Sequence, residues 1–299
     1  MSCKRRISAA DVFLIAGIIL PIVAGVLLKV LLLPAGEGLQ ITGAYIFFTI
    51  PFPLGNITIT ESQVNSWLVM ISIFFACLFL THGLKERPVS KRQLVAEWIV
   101  EKVDKLVISN MGEYFRGFSP FVCAILALSA FSSLLSLFGL YPPTSDLNVV
   151  AGWAIMVFLL ITYYKMKCGP LGYLKSFTQP VGLLLPLNLI SEVATPLSMA
   201  FRHYGNIISG SLISVLVKAA LGGLSTLLLG WLPGILGDFP LFEIGLPAVL
   251  SIYFDVFSGC LQAFIFAMLT MLYVAGAFPA EDYAARKEKR RLKKLAKNN

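Results

Sequence analysis

The stretch that decides the fold is PLNLISEVATPLSMAFRHYGNIISGSLIS, which covers residues 186–214. It places Arg202 inside an apolar tract, residues 181–232, that is far too long for the core helix of a soluble domain. A charge at the centre of a bilayer costs at least about 2.5 kcal/mol, so an arginine held there is by default a functional residue. Because arginine keeps its proton in proteins, Arg202 is expected to be a fixed cation and not a proton carrier.

Other polar side chains share the helix face of Arg202. Steps of three and four residues return to the same side of a helix, and such steps from Arg202 meet hydroxyl and amide side chains in both directions. The other faces carry Leu, Ile, Val, Ala, Met and Phe. The resulting polar stripe consists of Thr195, Ser198, Arg202, Asn206 and Ser209.

The composition is that of a multi-pass membrane protein. The chain is 57% hydrophobic and 13% charged, whereas a soluble domain carries about 25% charged residues. The net charge of +8 is therefore interpreted by side of the membrane and not as a signal for nucleic acid. The five cysteines show no ligand spacing, and the sequence has neither a Gly-rich nucleotide loop nor a nucleophile–base set. We expect no metal, no cofactor and no catalytic site on this chain.

Six apolar tracts are long enough to cross a bilayer. The first follows basic residues, as a signal peptide does, but its length and the lack of a clear cleavage site favour a retained helix. Residues 85–116 are predicted to contain an amphipathic helix that lies on the cytoplasmic membrane surface, with a plain solvated helix as the alternative. The predicted spans are residues 11–33, 63–83, 118–139, 147–164, 181–232 and 246–277.

Basic residues alternate strictly between the two sides of these spans. The intervening loops 34–62, 140–146 and 233–245 hold no Lys or Arg. This is the positive-inside pattern, and it requires six crossings with both termini in the cytoplasm. Of the 24 Lys and Arg, all but Lys29, Arg202 and Lys218 lie in four segments, which are residues 1–10, 85–116, 165–175 and 279–299.

The fifth tract is too long for an upright helix. At 1.5 Å per residue, a helix over residues 181–232 is roughly 78 Å long, against a hydrocarbon core of about 30 Å. Two crossings would fit this length, but they would place the basic C-terminal tail outside. We therefore predict one long, tilted or bent helix that packs against the sixth and wraps a curved partner.

Two acids accompany the arginine within the spans. Asp255 lies in the part of the last span that is predicted to be near the outside. Glu192 lies ten residues before Arg202 and therefore towards the cytoplasm. The predicted arrangement is an acid near one side, a fixed cation in the middle and an acid towards the other side. At helical spacing, the face that carries the second acid consists of Ser251, Asp255, Ser258 and Gln262.

Two motifs carry a resemblance to a known family. PLSMAFRHYGN at residues 196–206, followed by LQAFIFAMLTMLY at residues 261–273, resembles subunit a of the F-type ATP synthases, in its bacterial form. The resemblance covers roughly residues 45–278. Its supporting motifs, in chain order, are TESQVNSW at residues 60–67, PPTSDLN at residues 142–148 and GPLGYLKSF at residues 169–177.

The resemblance implies a fold and a function. The fold is all-α: a polytopic membrane protein with six crossing helices, a surface amphipathic helix and a long tilted fifth helix packed against the sixth. The function is that of a stator ion-channel subunit, in which two offset half-channels carry H⁺ or Na⁺ to and from the carboxylates of the c ring and couple ion flow to rotation. The alternative is a stand-alone secondary transporter or ion channel, although the sequence shows no internal repeat.

The resemblance also assigns roles to residues. Arg202 matches the arginine that faces the c ring, Asn206 its polar neighbour, and Gln262 the glutamine of the last helix. Many relatives carry a glutamate at the position of Ser211, so Asp255 is expected to serve the outer half-channel as its single acid. The complete predicted set is Arg202, Asn206, Gln262, Asp255 in the outer half-channel, Glu192 in the cytoplasmic half-channel, Ser209, Ser211 and Ser258.

The same residues also allow purely structural interpretations. Arg202 could be a structural partner of Asp255 or Glu192, and Asp255 could pair with Lys218. Asn206 and Gln262 could be hydrogen-bonding glue between helices. His203 and Tyr204 stand where many relatives have Leu and Phe, and His203 points about 100° away from Arg202, so packing is expected of it and not proton relay.

The same resemblance suggests how the chain is organised. Residues 1–44 form an additional transmembrane helix and an outside loop, residues 45–278 the membrane domain, and residues 279–299 a basic cytoplasmic tail. The implied partners are the c-subunit ring, b-type peripheral stalk subunits, the rest of the F1Fo complex and the lipid bilayer, with no nucleic acid. The implied location is the bacterial plasma membrane.

Overall fold

The chain folds as a bundle of long apolar helices. The computed structural model describes residues 9–32, 43–53, 56–85, 90–169, 173, 177, 182–231, 242, 245, 249–250, 252–278 and 283. The α-helices in this part of the chain are α1 (Ala9–Leu32), α2 (Glu61–Thr81), α3 (Lys91–Met111), α4 (Ser119–Leu134), α5 (Leu147–Cys168), α6 (Leu185–Leu229) and α7 (Gly259–Ala277).

Every helix except α3 belongs to a segment that is long and apolar enough to cross a membrane. A 3₁₀ turn on each side extends α4 to the span Glu113–Phe138, and a π-helical segment extends α7 to the span Ile252–Ala277. The six candidate spans follow the order predicted from the apolar tracts. The prediction of an all-α polytopic membrane protein is confirmed.

The additional N-terminal helix α1 packs closely along α2. A Cβ added to Gly17 would lie 2.4 Å from Cδ1 of the Phe75 ring, so only glycine allows this approach. The hydroxyl of Ser72 donates to the carbonyl of Ile18 at 3.0 Å. At one end of the pair, the Arg92 guanidinium binds the Asp11 carboxylate at 2.7 Å. The helix is therefore an integral part of the bundle.

A short β-hairpin precedes α2, within the predicted loop 34–62. Strands Ile46–Ile50 and Ile57–Thr60 pair antiparallel, with an irregularity between Ile46 and Phe48. The second strand reads Ile-Thr-Ile-Thr, and alternating β-branched residues favour a pleated strand. The hairpin leads directly into α2, whose first N–H, on Glu61, donates to the carbonyl of Tyr45 at 2.7 Å.

The core lies between α3, α4, α5, α6 and α7. On α3, which lies within the predicted amphipathic segment, Leu94 and Trp98 are more than half exposed. The helix instead buries Val107 and Met111 against the core. A helix is thus present within residues 85–116, as predicted. The buried cluster consists of Val107, Met111, Phe115, Phe118, Val122, Ile125, Val157, Ile161, Met199, Phe266, Ala267, Met271, Val274, Ala277 and Phe278.

The fifth tract forms one continuous helix, as predicted. Helix α6 has 45 residues and is therefore about 68 Å long, more than twice the thickness of a bilayer core. Pro196 lies inside it. Because proline has no N–H, the carbonyl of Glu192, four residues earlier, lacks its usual intrahelical partner. The helix packs against both α7 and the π-helical segment before it.

The last span is not α-helical throughout. Residues Ile252–Ser258 form a π-helix, and α7 continues from Gly259. A π-helix bonds each N–H one residue further back than an α-helix does, so positions counted at α-helical spacing shift around the axis. Of the predicted polar face, Ser251 lies outside the described residues, as do residues 1–8, 33–42, 232–241 and most of the tail.

Candidate functional site

Arg202 lies on an exposed side of α6. Ser198, Asn206 and Ser209, which share its stripe, are exposed as well. The guanidinium forms no hydrogen bond or ion pair with any residue that the structure describes. In this part of the chain it is therefore partner to neither Glu192 nor Asp255, and its charge is presented outwards from the bundle.

His203, the next residue, is completely buried. Its Nε2 lies 3.3 Å from the hydroxyl of Ser129, and its ring meets Phe266 and Trp153 edge to face, with centroids 5.4 and 6.0 Å away. These contacts pack His203 into the bundle, away from the face of Arg202. A buried histidine beside an exposed arginine fixes the rotation of α6 about its axis.

Asn206 links α6 to the segment before α7. Its side-chain Nδ2 donates to the hydroxyl of Ser258 at 2.8 Å. The resemblance made Asn206 the polar neighbour of Arg202, but in the structure its donor serves the contact between helices. Gln262 lies one turn further along and is 4% exposed. The interpretation of Asn206 as a hydrogen bond between helices therefore fits the structure.

Glu192 opens into a cavity of about 230 Å³ between α5, α6 and α7, here called the Glu192 cavity. The ammonium of Lys165 lies 2.7 Å from both carboxylate oxygens, and the phenol of Tyr173 donates to one of them at 3.3 Å. Burial, followed by the charge of Glu192, raises the pKa of the Tyr173 phenol, which keeps its proton available for this bond. The cavity is lined by Phe158, Ile161, Lys165, Glu192, Thr195, Leu272, Tyr273, Gly276 and Ala277.

A second cavity, here called the Asp255 cavity, has a volume of about 650 Å³. Ser211 and Asp255, which both belong to the predicted site, line this cavity together. The hydroxyl of Ser145, which also lines it, is buried and has no hydrogen-bond partner among the described residues. Its polar lining residues are Lys29, Ser133, Ser136, Tyr141, Ser145, Tyr204, Ser211 and Asp255.

The two cavities meet α6 on either side of Arg202 along the chain. Glu192 precedes the arginine by about 15 Å of helix, and Ser211 follows it by about 14 Å. Arg202 itself lines neither cavity. Each cavity contains one of the two predicted acids, so the structure separates the acids and puts the fixed cation between them.

Three side chains at these cavities were not foreseen as site residues. Lys165 and Lys29 had been considered only as part of the distribution of basic residues, and Tyr173 had no assigned role. Lys165 is 27 residues from Glu192 in sequence, and no local pattern predicts a contact between two different helices. The suggested ion pair between Lys218 and Asp255 is not among the ion pairs of the described residues.

The chain matches proteins of one family along most of its length. A family model described as ATP synthase A chain matches residues 63–275. The chain is 29% identical over 239 residues to ATP synthase subunit a of Legionella pneumophila subsp. pneumophila, which covers 79% of this chain and 94% of that protein. It is 31% identical over 222 residues to ATP synthase subunit a 1 of Crocosphaera subtropica, covering 73% and 87%. It is 32% identical over 218 residues to ATP synthase subunit a of Desulforamulus reducens, covering 72% and 78%. The chain therefore belongs to the ATP synthase A chain family.

Proposed function

We propose that this chain is the stator ion-channel subunit of a rotary F-type ATP synthase. The observation that carries the proposal is the pair of cavities that meet α6 before and after Arg202, each with one acid. Two separate aqueous entries and a cation between them are what an offset pair of half-channels requires. Family membership supports the same role, because the relatives are named ATP synthase subunit a.

The orientation follows from the basic residues. Lys and Arg cluster in the segments before α1, around α3, after α5 and in the tail, so these are assigned to the cytoplasm of a bacterial cell. The Glu192 cavity then opens towards the cytoplasm and the Asp255 cavity towards the outside. The polar stripe of α6 faces the c ring, and the b-type stalk subunits and the rest of the F1Fo complex complete the stator and the motor.

The chemistry at Arg202 is electrostatic. A ring carboxyl that arrives from lipid is neutral, because an unpaired carboxylate is costly in a medium of low dielectric. Beside the guanidinium its charged form becomes favourable, so it releases its ion into one half-channel. After passing the arginine it takes up an ion from the other half-channel and returns to lipid. This chain supplies the positive charge beside which the ring carboxyl releases its ion. ATP chemistry is assigned to other subunits.

The same positive charge blocks a short circuit. An ion that crosses 100 mV delivers about 2.3 kcal/mol, and this energy becomes torque only if direct flow between the cavities is prevented. Arg202 repels a cation on that direct route, while the exposed position of its side chain leaves it free to meet each ring carboxylate in turn. A lasting ion pair within the chain would prevent this exchange.

The test is ion flux through the reconstituted complex. Arg202→Ala is expected to abolish ATP-driven proton pumping and ATP synthesis while it permits passive proton leak. Arg202→Lys keeps the charge but loses the planar fork, so coupled transport should stop with less leak. Lys218→Ala is the matched control, since it removes another exposed cation from the same helix and should leave coupling near the wild-type rate.

The measurement uses proton flux and ATP synthesis in vesicles that carry each variant complex. Co-purification of the c ring and the peripheral ATPase subunits with the chain is scored in the same preparations. ATP synthesis at a near wild-type rate in Arg202→Ala would refute the proposal, as would a wild-type chain that conducts ions without such partners.

A further inference from the structure

An apolar cavity, here called the α1 cavity, lies between α1, α2 and the end of the span that contains α4. Its volume is about 360 Å³. Ile18 and Ile22 of α1 form one wall, and residues of α2 and of the end of the α4 span form the others. Because the family match begins at residue 63, the α1 wall is supplied from outside the matched region. The α1 cavity shares no lining residue with the Glu192 cavity or the Asp255 cavity.

Close packing of α1 at two glycines keeps this space open. A Cβ added to Gly17 would lie 2.4 Å from a phenylalanine ring of α2, and one added to Gly25 would lie 2.9 Å from a leucine methyl group of α2. Ile18 and Ile22 lie between these two glycines in sequence. Because α1 already touches α2 at both glycines, it cannot move further inwards to fill the cavity.

The walls of the α1 cavity offer water very little to bind. Of the lining residues that the structure describes, only Ser72 has a polar side chain. Its hydroxyl already donates to the carbonyl of Ile18 at 3.0 Å. A buried water makes about three hydrogen bonds to otherwise unsatisfied groups, and apolar cavities without such groups stay dry. The α1 cavity therefore suits a hydrocarbon and not water or an ion.

The mouth of the α1 cavity opens at the depth of the lipid chains. Phe131 and Phe138, which line it, are 52% and 56% exposed, whereas Val69 and Leu135, which also line it, are 3% and 4% exposed. All four residues belong to candidate membrane spans. The medium at the mouth is therefore the hydrocarbon of the bilayer.

We propose that the α1 cavity binds one acyl chain of a bilayer phospholipid, which packs between α1, α2 and the end of the α4 span. Lipid chains are as apolar as leucine side chains, so the gain comes from dispersion contacts that an empty cavity lacks. A protein helix is about 10 Å across and would lie over the mouth, whereas a chain of methylene groups is thin enough to enter. The inference requires only that the chain spans a bilayer, and it does not depend on the proposed stator function.

The test is photolabelling in reconstituted vesicles that contain the full F1Fo complex. The probe is a phosphatidylglycerol with a photoreactive diazirine midway along one acyl chain, and labelled residues are identified by mass spectrometry of peptides. In wild type, the partly buried lining residues Ile22, Ile73 and Leu134 should be labelled at least as strongly as Leu20, which is 69% exposed on α1.

A variant that fills the cavity should remove this label. Ala76→Phe places a ring in the α1 cavity, so label at the three lining residues should be lost while label at Leu20 is kept. Ala16→Phe is the matched control, because Ala16 is exposed on α1 and does not line the α1 cavity, and its labelling should equal that of wild type. Ala76→Leu replaces Ala76→Phe if the latter does not assemble.

Several results would overturn the inference. Wild-type label that is confined to exposed residues does so, as does label at the lining residues that survives filling of the cavity. Absence of wild-type label at Phe131 and Phe138 as well would assign the mouth to a protein partner and also overturns it. If neither variant at Ala76 assembles, wild type decides alone, and weaker label at the three lining residues than at Leu20 overturns the inference.

Discussion

The two cavities hold their acids by different means. In the Glu192 cavity, a lysine lies 2.7 Å from both carboxylate oxygens and a tyrosine donates a further hydrogen bond. In the Asp255 cavity, which is nearly three times larger, the lysine donates to a backbone carbonyl and the walls carry hydroxyl groups. The Glu192 carboxylate is thus held by a direct ion pair, whereas Asp255 lines a larger cavity whose walls carry hydroxyl groups.

This difference suggests unequal roles for the two acids. The Glu192 carboxylate is held in place by its two partners, so we expect it to be a fixed part of the cavity wall. The larger Asp255 cavity leaves room for water beside its acid. Tyr141 in that cavity keeps its proton, because burial and then the charge of Asp146 raise the pKa of its phenol.

The largest expected effect is a complete difference in the side from which each cavity is reached. In a chain whose five native cysteines have been replaced, Asp255→Cys should react with a polar thiol reagent added outside. Glu192→Cys should react only with reagent added from the cytoplasm. The measurement is the fraction of labelled chain in right-side-out and inverted vesicles.

The control for this experiment is Val157→Cys, because Val157 is completely buried in the core and should react from neither side. Labelling of both positions from the same side would show that the two cavities belong to one pathway. Reversed sides would keep the two cavities but overturn the assigned orientation.

A smaller effect is expected from breaking the ion pair. Lys165→Met leaves the Glu192 carboxylate, whose side chain is only 14% exposed, without its cation. A partly buried charge that loses its partner should cost about 1–3 kcal/mol of stability. The measurement is the midpoint of unfolding of the purified chain in mixed detergent micelles containing increasing dodecyl sulfate.

Two comparisons sharpen that result. Adding Glu192→Gln to Lys165→Met should recover most of the loss, because no charge is then left unpaired. Lys105→Met removes a lysine whose pair with Glu101 is largely exposed, and it should change the midpoint hardly at all. Equal effects of Lys165→Met and Lys105→Met would show that the ion pair does not distinguish the Glu192 cavity.

The smallest effect concerns the hydrogen bond between Asn206 and Ser258, one turn of α6 after Arg202. Ser258→Ala removes the acceptor of the Asn206 side chain and should cost about 0.5–1.5 kcal/mol in the same unfolding measurement. Ser209→Ala, on the exposed side of α6, should cost less, since the Ser209 hydroxyl has no partner within the described residues. Passive proton leak should rise in Ser258→Ala if this contact helps to seal the route between the cavities, and an unchanged leak would assign the contact to helix packing alone.

Much of the fold was predictable from local patterns. The apolar tracts predicted all six spans, because a backbone in lipid must satisfy its hydrogen bonds within each helix. The hairpin was missed, although Ile57–Thr60 carries a strand pattern, because the pairing partner is an aromatic run without alternation. For α3, the sequence alone did not show that Val107 and Met111 are the residues buried against the core, because that depends on how the helix packs on the bundle.

The sequence by itself determined the apolar spans, the charge asymmetry and the presence of Arg202, Glu192 and Asp255 within the spans. These properties depend on the cost of charge and of unpaired backbone in hydrocarbon, which acts on each segment separately. Only the tertiary structure decided that Glu192 pairs with Lys165, that Asn206 bonds to Ser258, and that Lys29 reaches the Asp255 cavity. Each of these contacts joins two helices, and its geometry depends on how the helices are rotated and how closely they approach. Glycines such as Gly25 and the π-helical turn before α7 set that approach through packing, which no single segment encodes.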